Sequence, residues 1–545
     1  MENIRIQDDL YTYVNQEKLE ELVIPDDMPM AGGFAALATD VEKLMIGEFN
    51  AMCAEAAYPN DYLARACKLY TMAKDVKRKK KHGIKPALKN LAILKKVNTL
   101  RGYNLHAKEL ILKGIAMPIN IAVEPNMKDT THHCVMIQGP GVILPDTSYY
   151  AEGKEQQKEM LLNMWSGFAK QVLAIAGYSE EEADALLKNT LSFDALIAKY
   201  VKSNEEWSEY TKMYNPMKVG RVAGMVKPLN LKKLLSDLFG AVPEEIIVAE
   251  PRYFKNFKEV FNPENFEMYK DWAYVTGLMS SCSLLSEELR DLGGGFRRAL
   301  SGIAAVSTPE KFAYQLASGM YSEPVGLYYG EKYFGEAAKA DIIDIVRQII
   351  ATYQKRIKDN DILEQATKEK AILKLSTMGI KMGYPDRVEG IYDKLVFDES
   401  KSLFDAVSTL RKIRILENFA KLETTLGDAL FTVEIDFAKS WTSKKWQDTP
   451  HFHVDNEIHI LLDGNAVLEI DGNDISIDTG DICLLAPRTS HYPKLSSDTL
   501  EKANFGFSLS QSYGDNRLKK SFSEYVYYSN IFTGEWFCDQ LLHDG

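Results

Sequence analysis

The chain has 545 residues, 46% hydrophobic and 26% charged, the balance of a folded protein of more than one domain and not of a disordered chain. Lys and Arg total 65 against 77 for Asp and Glu, and the resulting net charge of −12 provides no overall basic field for nucleic acid or an anionic membrane. No stretch approaches the ~18 uninterrupted apolar residues of a membrane span. The N-terminal residues lack a basic segment followed by an apolar one, and the six scattered cysteines form no CxxC pair, so a reduced cytoplasmic protein is expected.

From the start to about residue 420 the pattern is mostly helical. The run Lys77, Arg78, Lys79, Lys80 and Lys81 is expected to be a solvated helix end. At 115–126 the sequence IAMPINIAVEPN is extended in character, with Ile119, Ile121 and Val123 alternating. His132, His133 and Cys134 follow, but neighbours on a strand diverge, so no metal is expected there. Leu161, Trp165, Phe168, Val172 and Ile175 share a helix face, and Gly177 is placed to end that helix. Ser179 with Glu182 predicts a capping box opening the next helix, through Ala183, Leu186 and Leu187. Gly293, Gly294 and Gly295 lack the following Gly-Lys-Ser/Thr of a phosphate loop and are expected to be a linker. Ile342, Val346, Ile349, Ile350, Tyr353 and Ile357 predict an amphipathic helix.

After about residue 424 short apolar runs are broken by turn residues every eight to twelve positions. Ala466–Ile470 and Asp474–Ile477 flank Asp471-Gly472-Asn473, which predicts a hairpin because Gly and Asn accept positive φ cheaply. Four of the nine histidines lie here: His451, His453, His459 and His491. On a strand, alternate residues share a face, so His451, His453 and Glu457 are expected to point into one interior, with His491 completing a set of three imidazoles and one carboxylate. Such donors suit Zn, Fe, Mn or Ni; without a metal they would line a polar ligand pocket. His459 has the same parity and is a rival ligand.

The spacing of His451, His453, Glu457 and Gly464 resembles the first cupin motif, although Lys445 stands where its leading Gly is usual. The run from Gly480 to His491 resembles the second motif, with Ala486 and Arg488 replacing the usual Pro and Gly. Residues from about 426 to 530 look most like the sensor half of AraC-type regulators. That resemblance implies a small effector, a pocket with or without a divalent metal, and dimerisation through the cupin. About fifteen residues follow Asn530, too few for a helix-turn-helix unit, so no DNA binding is expected.

The preceding segment resembles the N-terminal region of neprilysin-like, PepO-type zinc endopeptidases. In the opening QDDLYTYVNQEKLEELVIPDD, residues Asp9, Tyr11, Asn15, Pro25 and Asp27 match, whereas Gln16 and Lys18 depart from the usual Gly and Trp. VILPDTSYY at 142–150, SEPVGLYYGEKYFGEAAKAD at 322–341, ATKEKAILKL at 366–375 and IKMGYPD at 380–386 follow in order. The resemblance implies a helical region that restricts access of peptides to a zinc site placed further along. That site needs HExxH, two histidines one helical turn apart with a Glu to activate water, and no HExxH occurs in these 545 residues.

The expected fold is thus multidomain, a mainly α-helical region followed by a small all-β cupin barrel. The expected domains are 1–422, a neprilysin-like peptidase N-terminal region without the catalytic half, 424–530, an AraC-type cupin, and 531–545, a short tail. The expected function is that of a metallopeptidase-family chain, non-catalytic towards peptides. Its expected ligands are a small effector and a divalent metal at His451, His453, Glu457 and His491. The alternatives are a zinc metalloendopeptidase completed by a separate catalytic chain, and a metal-dependent cupin enzyme. Peptide contact on the helical region, and an exposed apolar surface around 395–422, are further expectations.

Overall fold

Helices fill most of the first 420 residues, because apolar side chains recur there at three- and four-residue steps and cap signals mark the ends. The computed structural model describes residues 4–422, 425–426, 429–443, 449–451, 456–470, 472–485, 489–513 and 526–528. Two compact units are distinguished: one comprises Met1–Ala122 with Met136–Phe419, the other Val123–Val135 with Ala420–Gly545.

In the helical unit, Glu155–Ile175 buries Leu161, Trp165 and Val172 on the expected face, with Ala169 and Leu173 beside them. Gly177 follows at φ 95°, a conformation that costs glycine little. The next helix, Glu180–Ala198, opens on the predicted reciprocal cap: the Ser179 hydroxyl accepts from the Glu182 amide, and the Glu182 carboxylate accepts from the Ser179 amide. It packs against Phe266–Ser281 around a buried group of rings, Tyr103, Phe193, Phe261, Phe266, Tyr269 and Trp272. The extended stretch becomes β1 (Asn120–Asn126) and β2 (Asp129–Gln138), of which residues 123–135 are counted with the second unit. With β3 (Pro216–Lys218) and β4 (Glu245–Val248) they form a sheet ordered β1-β2-β4-β3, in which β2 and β4 run parallel.

Three expectations need correction, and a fourth, the helix over 342–357, is met but with little burial. The glycine triplet is no linker: it lies inside the helix Glu287–Ser301, where a Cβ on Gly293 would stand 2.3 Å from the Cys282 Cβ and one on Gly295 2.3 Å from the Phe168 ring. Small residues there allow close packing, which sequence alone does not separate from a flexible joint. Gly293→Ala should therefore cost about 1–3 kcal/mol through overpacking. Gly220→Ala, with open space around it in the helix Val219–Met225, should be neutral or stabilising by up to about 1 kcal/mol. Denaturant unfolding of the two variants checks both.

Second, the basic run is only partly solvated. Lys79 is buried, paired with Glu287 and placed over the Phe312 ring. Third, the helix Gly335–Lys358 forms as predicted but buries no residue completely; Ile345, Ile349 and Tyr353 are about half exposed. Fourth, the apolar side chains of 395–422 are largely covered. Leu395, Leu403, Phe404, Val407, Leu410 and Phe419 are buried, and the Phe419 ring packs edge-on against Phe239, leaving Val396 and Leu416 exposed. The helix Leu403–Ala420 turns its apolar face onto the helical unit itself.

The second unit carries strands β5 (Thr425–Leu426), β6 (Ala429–Ser443), β7 (Asn456–Asp463), β8 (Asn465–Ile470), β9 (Asn473–Asp478), β10 (Ile482–Leu485), β11 (His491–Ser496), β12 (Leu500–Tyr513) and β13 (Val526–Tyr528). They form a six-stranded sheet ordered β13-β10-β7-β12-β6-β5 and a three-stranded sheet ordered β11-β8-β9. The two sheets are consistent with the small all-β cupin domain expected from the sequence; a closed barrel is not defined by the described strands. The predicted hairpin is β8-β9, with Gly472 at φ 84° in its turn and Asn465 through Ile470 paired with Asp478 through Asn473. Leu461, Leu468, Ile470, Ile477, Leu485 and Leu500 make its core. Among the described residues, no helix is long and apolar enough to cross a membrane.

Candidate functional site

Alternation along β7 turns Glu457, His459 and Leu461 to one face. The antiparallel register sets Asn504 of β12 and Cys483 of β10 opposite His459. His491 enters from the other sheet, at the start of β11. Three polar side chains thus converge above an apolar core, Glu457 2% exposed, His459 4% and His491 1%.

The Glu457 Oε2 oxygen lies 3.2 Å from His491 Nε2 and 3.5 Å from His459 Nε2. Its Oε1 oxygen accepts a 2.7 Å hydrogen bond from Asn504 Nδ2. On the far side of the His491 ring, Nδ1 stands 3.1 Å from the Thr489 carbonyl, which orients Nε2 towards Glu457. Burial alone would raise the Glu457 carboxyl, but its hydrogen bonds to the two imidazoles and to Asn504 hold it well below the usual carboxylate range. Burial lowers the His459 imidazole, favouring its neutral form. An ionised carboxylate beside neutral imidazole is the donor chemistry that a divalent transition metal takes.

Of the four expected ligands, Glu457 and His491 come together, and His459, the rival, stands with them. His451 is joined to His491 through a backbone bridge, the two rings lie 4.5 Å apart, and its Nδ1 stands 2.8 Å from the Thr449 carbonyl, the same kind of contact that His491 makes with Thr489. His453, together with Lys445, Ala486 and Arg488, lies outside the described residues. Asn504 carried no recognisable sequence signal. Only the register of β12 against β7 brings it to Glu457.

The fold defines a helical unit and a β unit with a buried His/Glu cluster. The profile of "Peptidase family M13" matches residues 6–385, and that of "AraC-like ligand binding domain" matches 437–512. The chain belongs to peptidase family M13. Over 418 residues it is 35% identical to a neutral endopeptidase of Lactococcus lactis subsp. lactis, covering 76% of this chain and 66% of that protein. A neutral endopeptidase of Lactobacillus helveticus is 33% identical over 414 residues, with 76% and 64% covered. Among solved structures, PEPO from Lactobacillus rhamnosis HN001 superposes with a TM-score of 0.72 at 30% identity, over 77% of this chain and 66% of that one. The chain thus spans about two thirds of the length of these relatives.

Proposed function

We propose that this chain has no peptidase activity of its own and that its β unit binds a small effector. The observation that carries this reading is the distribution of metal-ligating side chains. Among the described residues, the one group of three able to hold a metal is Glu457, His459 and His491, in the β unit. His82, His106, His132 and His133, the histidines of the peptidase-like segment, begin no HExxH. Without a metal to polarise the scissile carbonyl and activate water, a helical scaffold supplies none of the chemistry that zinc peptidases use. The β unit supports the effector half of the reading, because it presents buried polar groups over an apolar floor, the usual make-up of a small-molecule site.

Peptide contact belongs, in this reading, to the helical unit. A cleft of about 1130 Å³ is lined by Leu105, Leu112 and Val396 together with both basic (Lys108, Lys412) and acidic (Glu109, Asp405) side chains, a mixed surface that could take an extended peptide.

The test is a peptidase assay of the purified full chain with added zinc and fluorogenic peptides. No chelator-sensitive cleavage is expected, and zinc-dependent turnover by the chain alone would overturn the reading. The alternative, a peptidase completed by a separate chain, is favoured by the half-exposed apolar stripe Ile345, Ile349 and Tyr353. Turnover that arises only when a second, zinc-bearing chain is added would establish it.

A further inference from the structure

We propose that the helix Gly335–Lys358 pairs with the same helix of a second copy of this chain, antiparallel, about a two-fold axis at Ile349. The pairing is independent of the small-effector reading. It belongs to the helical unit and not to the β unit, where the sequence placed dimerisation.

An uncovered seam is the first support. This helix has 24 residues and buries none of them completely. Ile342, Val346, Ile350 and Ile357 are partly buried, and the helix packs on Gln365–Ser376. Ile345, Ile349 and Tyr353 recur at four-residue steps on the adjoining face and are 54%, 49% and 57% exposed. Single exposed apolar side chains are ordinary, but three in line form a continuous patch, and such patches mark interaction sites. A surface helix owes most of its stability to a covered apolar face, so an uncovered one gains by association.

The order of charges is the second support, and it selects the occupant. Two copies related by a two-fold axis meet through the same patch, so each residue before the axis faces one an equal distance after it. With the axis at Ile349, Ile345 meets Tyr353 of the second copy. Asp341 lies about 12 Å before the axis and Arg356 about 10 Å after it, so the carboxylate of each copy meets the guanidinium of the other. Asp344 and Lys355 extend the same pattern, an acidic first half and a basic second half, and all four side chains are exposed. Within one chain Asp341 and Arg356 stand about 22 Å apart along the helix and cannot pair. A parallel arrangement would set like charges against each other, which is costly. The chain that would complete a split peptidase is the competing occupant of this seam. A second copy requires this self-complementary order, whereas a different chain does not.

The experiment is sedimentation velocity of the purified full chain from about 1 to about 100 μM, a range that detects interfaces of modest affinity. A species of twice 61.6 kDa is expected to grow with concentration. Ile349→Asp, which sets two carboxylates face to face on the axis, should weaken association by more than about a hundredfold. Asp341→Arg and Arg356→Asp should each weaken self-association by about tenfold or more. An equimolar mixture of these two variants should associate as the parent does, because each opposed pair then again joins a cation to an anion. A role in folding alone gives no such rescue, and circular dichroism checks that each variant is folded. Four results would overturn the proposal: parent chain that stays monomeric at about 100 μM, parent chain that pairs only with an added HExxH-bearing chain, a dimer that survives Ile349→Asp, or a mixture that associates no better than its separate variants.

Discussion

Tyr269→Ala should destabilise the helical unit by about 3–5 kcal/mol, the range for removing a large ring from a packed core. Tyr269 is fully buried on the helix Phe266–Ser281. Its ring lies 5.1 Å from that of Phe261, 5.5 Å from Tyr103 and 5.6 Å from Phe193, all in edge-on geometry. Each such contact contributes roughly 0.5–1.5 kcal/mol beyond area burial, so the centre of the cluster is its most expensive position. The hydroxyl donates to the Ala116 carbonyl at 3.1 Å and ties this helix to the segment leading into β1. Tyr269→Phe retains the rings and loses only the hydroxyl's bonds, to the Ala116 carbonyl and to the Tyr103 hydroxyl, so about 1–2 kcal/mol is expected. Denaturant unfolding followed by far-ultraviolet circular dichroism measures the two. Equal losses for both variants would mean that the hydrogen bonds, and not the ring, hold the helix in place.

Local signals were read from the sequence where local physics decides the outcome. The Ser179/Glu182 cap and the Gly472 hairpin turn each need only a few neighbouring residues, and both formed. Parity puts Glu457 and the rival His459 on one face of β7, and both stand in the buried cluster with His491. What stayed hidden depended on distant contacts. The periodicity of 342–357 states that a helix has an apolar face, not that another element covers it, and here the face is half exposed. Gly293 and Gly295 have the same composition whether they loosen a joint or admit Cys282 and Phe168, and only the packing tells the two apart. Asn504 is separated from Glu457 by 47 residues and is brought to it by strand register alone.

Asp194 shows the same dependence on distant contacts, with a larger energetic consequence. In sequence it is an ordinary acid within the helix Glu180–Ala198, yet it is fully buried. Burial pushes its carboxyl up from 3.8 to about 6, against the opposing effect of hydrogen bonds from the Tyr150 hydroxyl, the Ile143 amide (3.0 Å) and the Trp272 indole (3.3 Å). Because the folded value exceeds the unfolded one, the native state binds the proton more tightly across that interval. Stability contributed by this group is therefore present in acid and falls as pH rises from about 4 through about 6, levelling off above. Two units of difference correspond to a loss on the order of 3 kcal/mol. Asp194→Asn keeps an acceptor for Ile143 and Trp272 and a polar partner for Tyr150, but cannot titrate. The difference in unfolding free energy between parent and Asp194→Asn chain should thus shift in favour of the variant by that amount between pH 4 and pH 7. Parallel stability curves for the two chains would show that Asp194 keeps an ordinary carboxyl despite its burial.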